Sequence, residues 1–434
     1  MFDIQRHKAT CMILISAVLF VWQFYLVKQS YIIDNTLSVA EKFPTEAQTH
    51  LNSTEIKGKK ANTNEMVGSI ANPIALKTNQ ERYELMAKYE QERLSDVAPT
   101  FKRILFWNEA YGNKEYGIGF GRDALRKWDC PVWQCETLEN RTDMQDYDAV
   151  VFHLRTWTRY DLPQRRSPHQ RYVAWLMESA AWREYLDTSP MANYFNWTMT
   201  YRWDSDMVGP YGYVKPIGNA PIHPNKSQMK EYLSNSKVNY ADGKTKMATW
   251  FVSNCKSKSK RNELVKELQK HINVDVYGGC GTMNCPRNKE DNCREMAAKT
   301  YKFYMSLENS LCQDYITEKF FAMLDYRILP IVYGVHDHYD KIAPSHSFIN
   351  AAKFENMKQL ADYLILLDKN DTLYNEYFWW KPHFEVRYTQ KDKNKSMCHL
   401  CAALHNTTLP TKIYRDMTDW WENQSNCVSS PPIS

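Results

Sequence analysis

Apolar runs of four to eight residues, each closed by a polar or glycine break, punctuate this chain from residue 103 onward. The first is Arg103-Ile104-Leu105-Phe106-Trp107. Ala149 to Leu154, Tyr172 to Met177 and Phe195 to Arg202 follow, the last two running into Glu178-Ser179 and Asp204-Ser205-Asp206. Runs of this length with polar ends predict strands. After a polar stretch from Lys226 to Lys246, Met247 to Val252 and Val274 to Tyr277 predict two more, separated by a helix over 262–271. Tyr301 to Leu307 is a further strand that breaks at Glu308-Asn309-Ser310. From Thr317, in N-cap position, the spacing turns helical with Phe320, Phe321 and Leu324 on one face, and Ile328 to Val332 runs on to Gly334. Strand, loop, helix and strand at this size form a βαβ unit, hence parallel sheet. The pattern predicts two doubly wound α/β domains, 100–240 and 241–434, facing a cleft, with no internal repeat.

The first hundred residues are patterned differently. Ala9 to Val27 is 19 residues without Asp, Glu, Lys or Arg, between Lys8 and Lys28. As a helix it spans about 28 Å, enough for a hydrocarbon core. No small-residue cleavage site follows, so it reads as an uncleaved signal-anchor behind a cytosolic tail of residues 1–8. Residues 28–99 are polar, with helical tendency near Gln80 to Leu94, and read as a flexible stem. A fragment beginning near residue 98 is therefore expected to fold.

Composition then places the compartment. Eight Asn-x-Ser/Thr sequons stand at Asn52, Asn140, Asn196, Asn225, Asn370, Asn394, Asn406 and Asn423, an excess that suggests luminal exposure. Of eleven cysteines, Cys11 lies in the anchor and the other ten suit disulfides in an oxidising lumen. Cys398-x-x-Cys401 lacks a second close pair, so disulfides are a better reading than zinc. The expectation is a single-pass type II membrane protein, and the short span points to the Golgi. A net charge of +5 over 434 residues does not call for nucleic acid.

In parallel sheets ligands bind at the carboxyl ends of strands, where helix N-termini meet phosphates. That position here carries Glu308, Asn309, Tyr315, Glu318 and Lys319. The run Leu307-Glu308-Asn309-Ser310, then Asp314-Tyr315 and Thr317-Glu318-Lys319-Phe320, resembles the donor motif of GDP-fucose-dependent α1,3-fucosyltransferases, with Leu307 standing where the family has Phe. The resemblance extends over about residues 100 to 427. Gly279-Cys280-Gly281 and the stretch from Ser310 to Asp314 are similar to the invertebrate and plant core enzymes of that family.

The resemblance implies a GT-B fold, a GDP-fucose donor, an N-glycan acceptor and an inverting transfer. Inversion calls for one general base and for cations on the departing diphosphate. The base falls on Glu178, although Ala180 replaces the proline of the family segment. Arg261 and Lys319 fall on the pyrophosphate, Glu318 on the ribose diol, and Asn309 and Tyr315 near the phosphates and sugar. Glu308 either orients this shell or approaches the fucose. Cys398 and Cys401 would tie back to Cys130 and Cys135.

No cofactor is implied, with Mn²⁺ or Mg²⁺ at most a stimulant. Asp204-Ser205-Asp206 has the Asp-x-Asp form of metal-dependent transferases but reads as a structural loop. The expected acceptor is the Asn-linked core GlcNAc. The alternatives are an antenna enzyme of Lewis type and, more remotely, a catalytically silent lectin-like glycoprotein.

Overall fold

The computed structural model describes residues 79–91, 100–185, 191–221, 224–335, 337–389 and 395–429. The Ala9–Val27 segment and the sequons Asn52 and Asn394 lie outside them. Among the described residues no helix is long and apolar enough to cross a membrane.

Six strands form the first sheet: β1 (Lys102–Phe106), β2 (Cys135–Leu138), β3 (Ala149–His153), β4 (Arg171–Leu176), β5 (Trp197–Thr200) and β6 (Met207–Val208). They run parallel in the order β2-β1-β3-β4-β5-β6. Their apolar runs do not alternate with polar residues because both faces are covered. In β1, Ile104 and Phe106 enter one core while Leu105 enters the other. In β3, Ala149 and Val151 oppose Val150 and Phe152 in the same way. This is the signature of a doubly covered parallel sheet.

The second sheet is also parallel. Its strands are β8 (Lys246–Phe251), β9 (Val274–Tyr277), β10 (Tyr301–Met305), β11 (Leu329–Val332) and β12 (Ile349–Asn350). Their order is β12-β11-β10-β8-β9. An antiparallel ribbon joins β7 (Gly212–Pro216) to β13 (Phe384–Tyr388) beside them. The helix Glu318–Asp325 packs between β11 and this ribbon, so all of Phe320, Phe321, Ala322, Met323 and Leu324 are buried.

Each sheet has one point where consecutive strands leave in opposite directions, between β1 and β3 in the first and between β8 and β10 in the second. Crevices at such points are where open α/β sheets bind ligands.

Two boundaries differ from expectation. Asn79–Gln91, read as part of a flexible stem, is a helix packed on the fold. Its Met86 is buried, its Tyr89 stacks on His399, and its Arg82 pairs with Asp314 at 3.1 Å, both side chains 5% exposed. Apolar and charged residues far along the chain complete this helix, so its own weak pattern did not reveal its docking. The segment after residue 395, assigned with the donor domain, instead returns to the first sheet. Met397, Leu400 and Ala402 enter one of that sheet's cores, and Tyr414, Met417, Trp420 and Trp421 enter the other.

Disulfides pin this return. Cys130 bonds Cys398 and Cys135 bonds Cys401, while Cys255–Cys280, Cys285–Cys293 and Cys312–Cys427 pair the rest. Cys135, Cys401 and His405 stand within metal-binding distance of one another, but the two sulfurs are already bonded to each other.

Candidate active site

The loops after β8 and β10 are stitched together across the switch point of the second sheet. Ser259 donates from Oγ to the Glu308 carbonyl at 2.6 Å and from its amide to the Asn309 carbonyl at 3.1 Å. Gly278, at φ +93, lets the loop after β9 press onto this knot, where a Cβ would lie 2.6 Å from the Val252 carbonyl.

Arg261, the first residue of the helix Arg261–Leu268, donates from Nη1 to the Leu307 carbonyl at 2.6 Å. It is 5% exposed, and its Nε has no hydrogen-bond partner among the described residues. Burial lowers its pKa, and the nearby Glu308 carboxylate partly offsets this. A buried guanidinium with an unused N–H is a ready anion site. Asn309 likewise keeps a buried Oδ1 without a partner among the described residues.

The three charges around Thr317 divide into two roles. Glu308 is 3% exposed and accepts from the Thr317 amide and hydroxyl, both at 2.8 Å. Burial raises its pKa against the pull of Lys319, whose Nζ lies 3.4 Å away. Glu308 is thus committed to holding the start of the helix Glu318–Asp325.

Glu318 and Lys319 are partly open, with side chains 25% and 30% exposed, and pair at 3.1 Å. Burial works against ionised Glu318, but Lys319 and nearby hydrogen bonds bring its pKa below the ordinary carboxylate value. Burial likewise opposes the charge on Lys319, and the two glutamates outweigh it. Both side chains are therefore ionised at neutral pH.

Glu178 comes from the first sheet, just past β4, and is half-buried. Its neighbour Ser179 places Oγ 3.2 Å from Cys312 Sγ, so the loop after β4 touches the donor-side loop. Tyr315 is buried edge-on against Tyr201 of the first domain, and Lys258 lies over the Trp182 ring. Tyr211, which the sequence reading left without a role, donates to the Met177 carbonyl at 2.7 Å and feels Glu318, Glu178 and Glu308 together. The Pro210-Tyr211-Gly212 turn places it there. A Cβ on Gly212 would come 2.4 Å from the Phe321 ring, so glycine is needed where the ribbon crosses the donor-side helix.

Tyr111, also without a role until now, puts its hydroxyl 3.2 Å from Glu178 Oε1. Its only sequence signal is a glycine-rich loop, Gly112 to Gly121, directly after β1. The site thus joins the carboxyl ends of both sheets: a half-buried carboxylate from one, and two cations and a partly open carboxylate from the other.

The aspartates of Asp204-Ser205-Asp206 are engaged elsewhere. Asp204 takes a bidentate grip from Arg202 at 2.8 and 2.6 Å, and Asp206 accepts from the Thr198 amide, Lys412 and Tyr414, each at 2.9 Å.

One sequon is corrected. Asn196 is 5% exposed, its Nδ2 donates to the Lys412 carbonyl at 2.7 Å and its Oδ1 accepts from the Tyr172 amide, so the native packing has no room for a glycan there. Asn140, Asn225, Asn406 and Asn423 are exposed, and Asn370 is partly so while it caps the helix Asp371–Glu376.

Two family models match the same two regions: "Fucosyltransferase, N-terminal" over residues 100–212 and "Glycosyltransferase family 10 (fucosyltransferase) C-term" over 241–420. The chain belongs to this family, the fucosyltransferases of glycosyltransferase family 10.

Among similar proteins, alpha-(1,3)-fucosyltransferase C of Drosophila melanogaster is 38% identical over 76% of this chain and 79% of its own length. Glycoprotein 3-alpha-L-fucosyltransferase A of the same organism is 37% identical over 76% of this chain, which spans 62% of that protein. Alpha-(1,3)-fucosyltransferase 7 of Rattus norvegicus is 33% identical over 74% of this chain and 79% of its own length. A crystal structure of an alpha1,3-fucosyltransferase overlays on 77% of this chain and 98% of its own at 17% identity, with a TM-score of 0.44.

Proposed function

We propose that this protein transfers L-fucose from GDP-β-L-fucose, in α1,3 linkage, to the Asn-linked GlcNAc of N-glycans. The observation that carries the reading is the division of charge between the two sheets. The buried guanidinium of Arg261 and the Lys319 ammonium stand beside the partly open carboxylate of Glu318, and Tyr211 feels both Glu318 and Glu178 of the first sheet.

Inversion at the anomeric carbon proceeds in one displacement. Glu178 takes the proton of the acceptor hydroxyl as that oxygen bonds to the fucose carbon. The bond to the β-phosphate oxygen breaks, and its electron pair leaves with GDP. Arg261 and Lys319 stabilise the charge gathering on the diphosphate. Glu318 accepts from the two ribose hydroxyls, and Asn309 and Tyr315 line the sugar and phosphates.

Glu308 acts one step back, by fixing the helix that presents Glu318 and Lys319. With Asp204 and Asp206 taken up by Arg202, Lys412 and Tyr414, no divalent cation is assigned an essential role, and Mn²⁺ or Mg²⁺ is at most a stimulant. The two doubly wound sheets correspond to a GT-B architecture. A signal-anchor at Ala9–Val27 would hold it in the Golgi membrane, with the catalytic part in the lumen.

Core specificity is supported by Cys280 and Cys312, bonded to Cys255 and Cys427, because the segments Gly279 to Gly281 and Ser310 to Asp314 around them resemble core enzymes. Transfer to the antenna is the second reading, favoured by the similarity to alpha-(1,3)-fucosyltransferase 7. One assay with GDP-fucose and two acceptors, a trimmed N-glycopeptide and N-acetyllactosamine, separates them. Product on the glycopeptide alone is expected, product on N-acetyllactosamine alone would replace core by antenna transfer, and product on neither would remove the transferase reading.

A further inference from the structure

The contact between Tyr111 and Glu178 is made at a cost in backbone energy. Tyr111 has φ +52, in the left-handed region that bulky residues avoid. Such strain persists only where the surroundings enforce it. Here they do so locally. Ala110 and Asn113 exchange two backbone hydrogen bonds, at 2.9 and 3.0 Å, around Tyr111 and Gly112, and Gly112 itself has φ +79. The turn sits just past β1, at the switch point of the first sheet. It carries an aromatic ring that is 58% exposed, one of the largest exposed apolar groups described, so burial is not what holds it. Edge-on contact with the buried His153 ring, centroids 4.9 Å apart, fixes its direction, and Arg155 lies over its face.

We propose that Tyr111 is a positioning residue for the base: its phenol donates to Glu178 Oε1, holds that carboxylate in its aim, and leaves Oε2 for the acceptor hydroxyl. The proposal rests on the reading of Glu178 as general base. The phenol must stay protonated to donate. The phenol does stay protonated: although the residue as a whole is 58% exposed, local desolvation of its hydroxyl and then the Glu178 carboxylate raise its pKa. The 3.2 Å separation is long for O–H···O, as catalytic contacts often are before substrate arrives.

Other groups around the pair are accounted for. Burial holds His153 neutral, with a pKa of about 4. Arg155 faces Tyr111, while Tyr211 and Tyr315 face Glu178 from the ribbon and the donor-side loop, both kept protonated by burial. None of these supplies a second hydrogen bond to Glu178 among the described residues.

The test compares Tyr111→Phe, Glu178→Gln and the double variant, by pH profiles of kcat/KM and by KM for GDP-fucose. Tyr111→Phe removes one exposed oxygen and should leave the thermal midpoint unchanged. The rate should fall about three- to tenfold, with KM for GDP-fucose within about twofold of wild type. In the Glu178→Gln background the same change should do nothing further, because there is no base left to position. A Tyr111→Phe profile that superimposes on wild type, or a change confined to acceptor KM, overturns the proposal while leaving Glu178 in place. Near-normal turnover in Glu178→Gln overturns the underlying assignment and this proposal with it.

Discussion

Glu308, Glu318 and Lys319 sit within twelve positions of one another, and the structure gives them unequal work. Glu308 is spent on the Thr317 amide and hydroxyl, whereas Glu318 keeps a quarter of its side chain open. Glu318→Gln should therefore weaken GDP binding by about tenfold or more, since a charge-assisted bond to a ribose hydroxyl is worth roughly 1.5–3 kcal/mol. Titration calorimetry with GDP checks this, and unchanged affinity would exclude Glu318 from the donor shell. The difference between the two glutamates was not legible in the sequence, where both are polar residues near a strand end. Tyr111 and Tyr211 were missed for a related reason. Each belongs to a loop of the first domain and acquires a role only when the loops after β4 and β10 meet.

The strands and the helix Glu318–Asp325 were legible as elements, because long apolar runs and a capped amphipathic face are local signals. Short or weakly patterned pieces were not: β2, β6 and β12 and the ribbon β7–β13; for Asn79–Gln91 the helical tendency was legible but the docking was not. That helix supplies Arg82 to Asp314, a residue at φ +61 that immediately precedes Tyr315. Arg82 also lies over the Trp203 ring, and Asp314 accepts from the Trp203 amide. Removing one partner of a buried ion pair costs roughly 3–5 kcal/mol. A luminal fragment beginning at residue 98 is expected to show a lower thermal midpoint and weaker GDP-fucose binding than one beginning at residue 75. Arg82→Met in the longer fragment should reproduce most of the loss. Equal stability of the two fragments in a melting experiment would mean that the helix is dispensable.

Across the whole molecule, the tail after residue 395 ties the first sheet to the donor-side loop through Cys130–Cys398, Cys135–Cys401 and Cys312–Cys427. The cysteine count made disulfides legible, but the return of the tail to both faces of the first sheet required long-range packing that no local pattern encodes. Within that tail His399 is buried and neutral. Burial brings its pKa to about 3, with the Val208 carbonyl opposing, and His153 is brought to about 4. The folded pKa values lie below the unfolded value near 6.5, so between these limits the unfolded chain binds more protons and stability falls as pH falls. Each group contributes of order 1 kcal/mol per pH unit in that window. The thermal midpoint should therefore drop steadily between about pH 6.5 and 4, and His399→Phe should make that decline shallower. A decline unchanged by His399→Phe would place the acid sensitivity elsewhere.

In the proposed mechanism one sheet supplies the base and the other holds the donor. Turnover and GDP affinity measured together on Glu178→Gln test it most directly. Transfer is expected to be slower by roughly 10²–10⁴-fold with GDP affinity unchanged. Near-normal turnover, or a loss of GDP binding that matches the loss of rate, would contradict it.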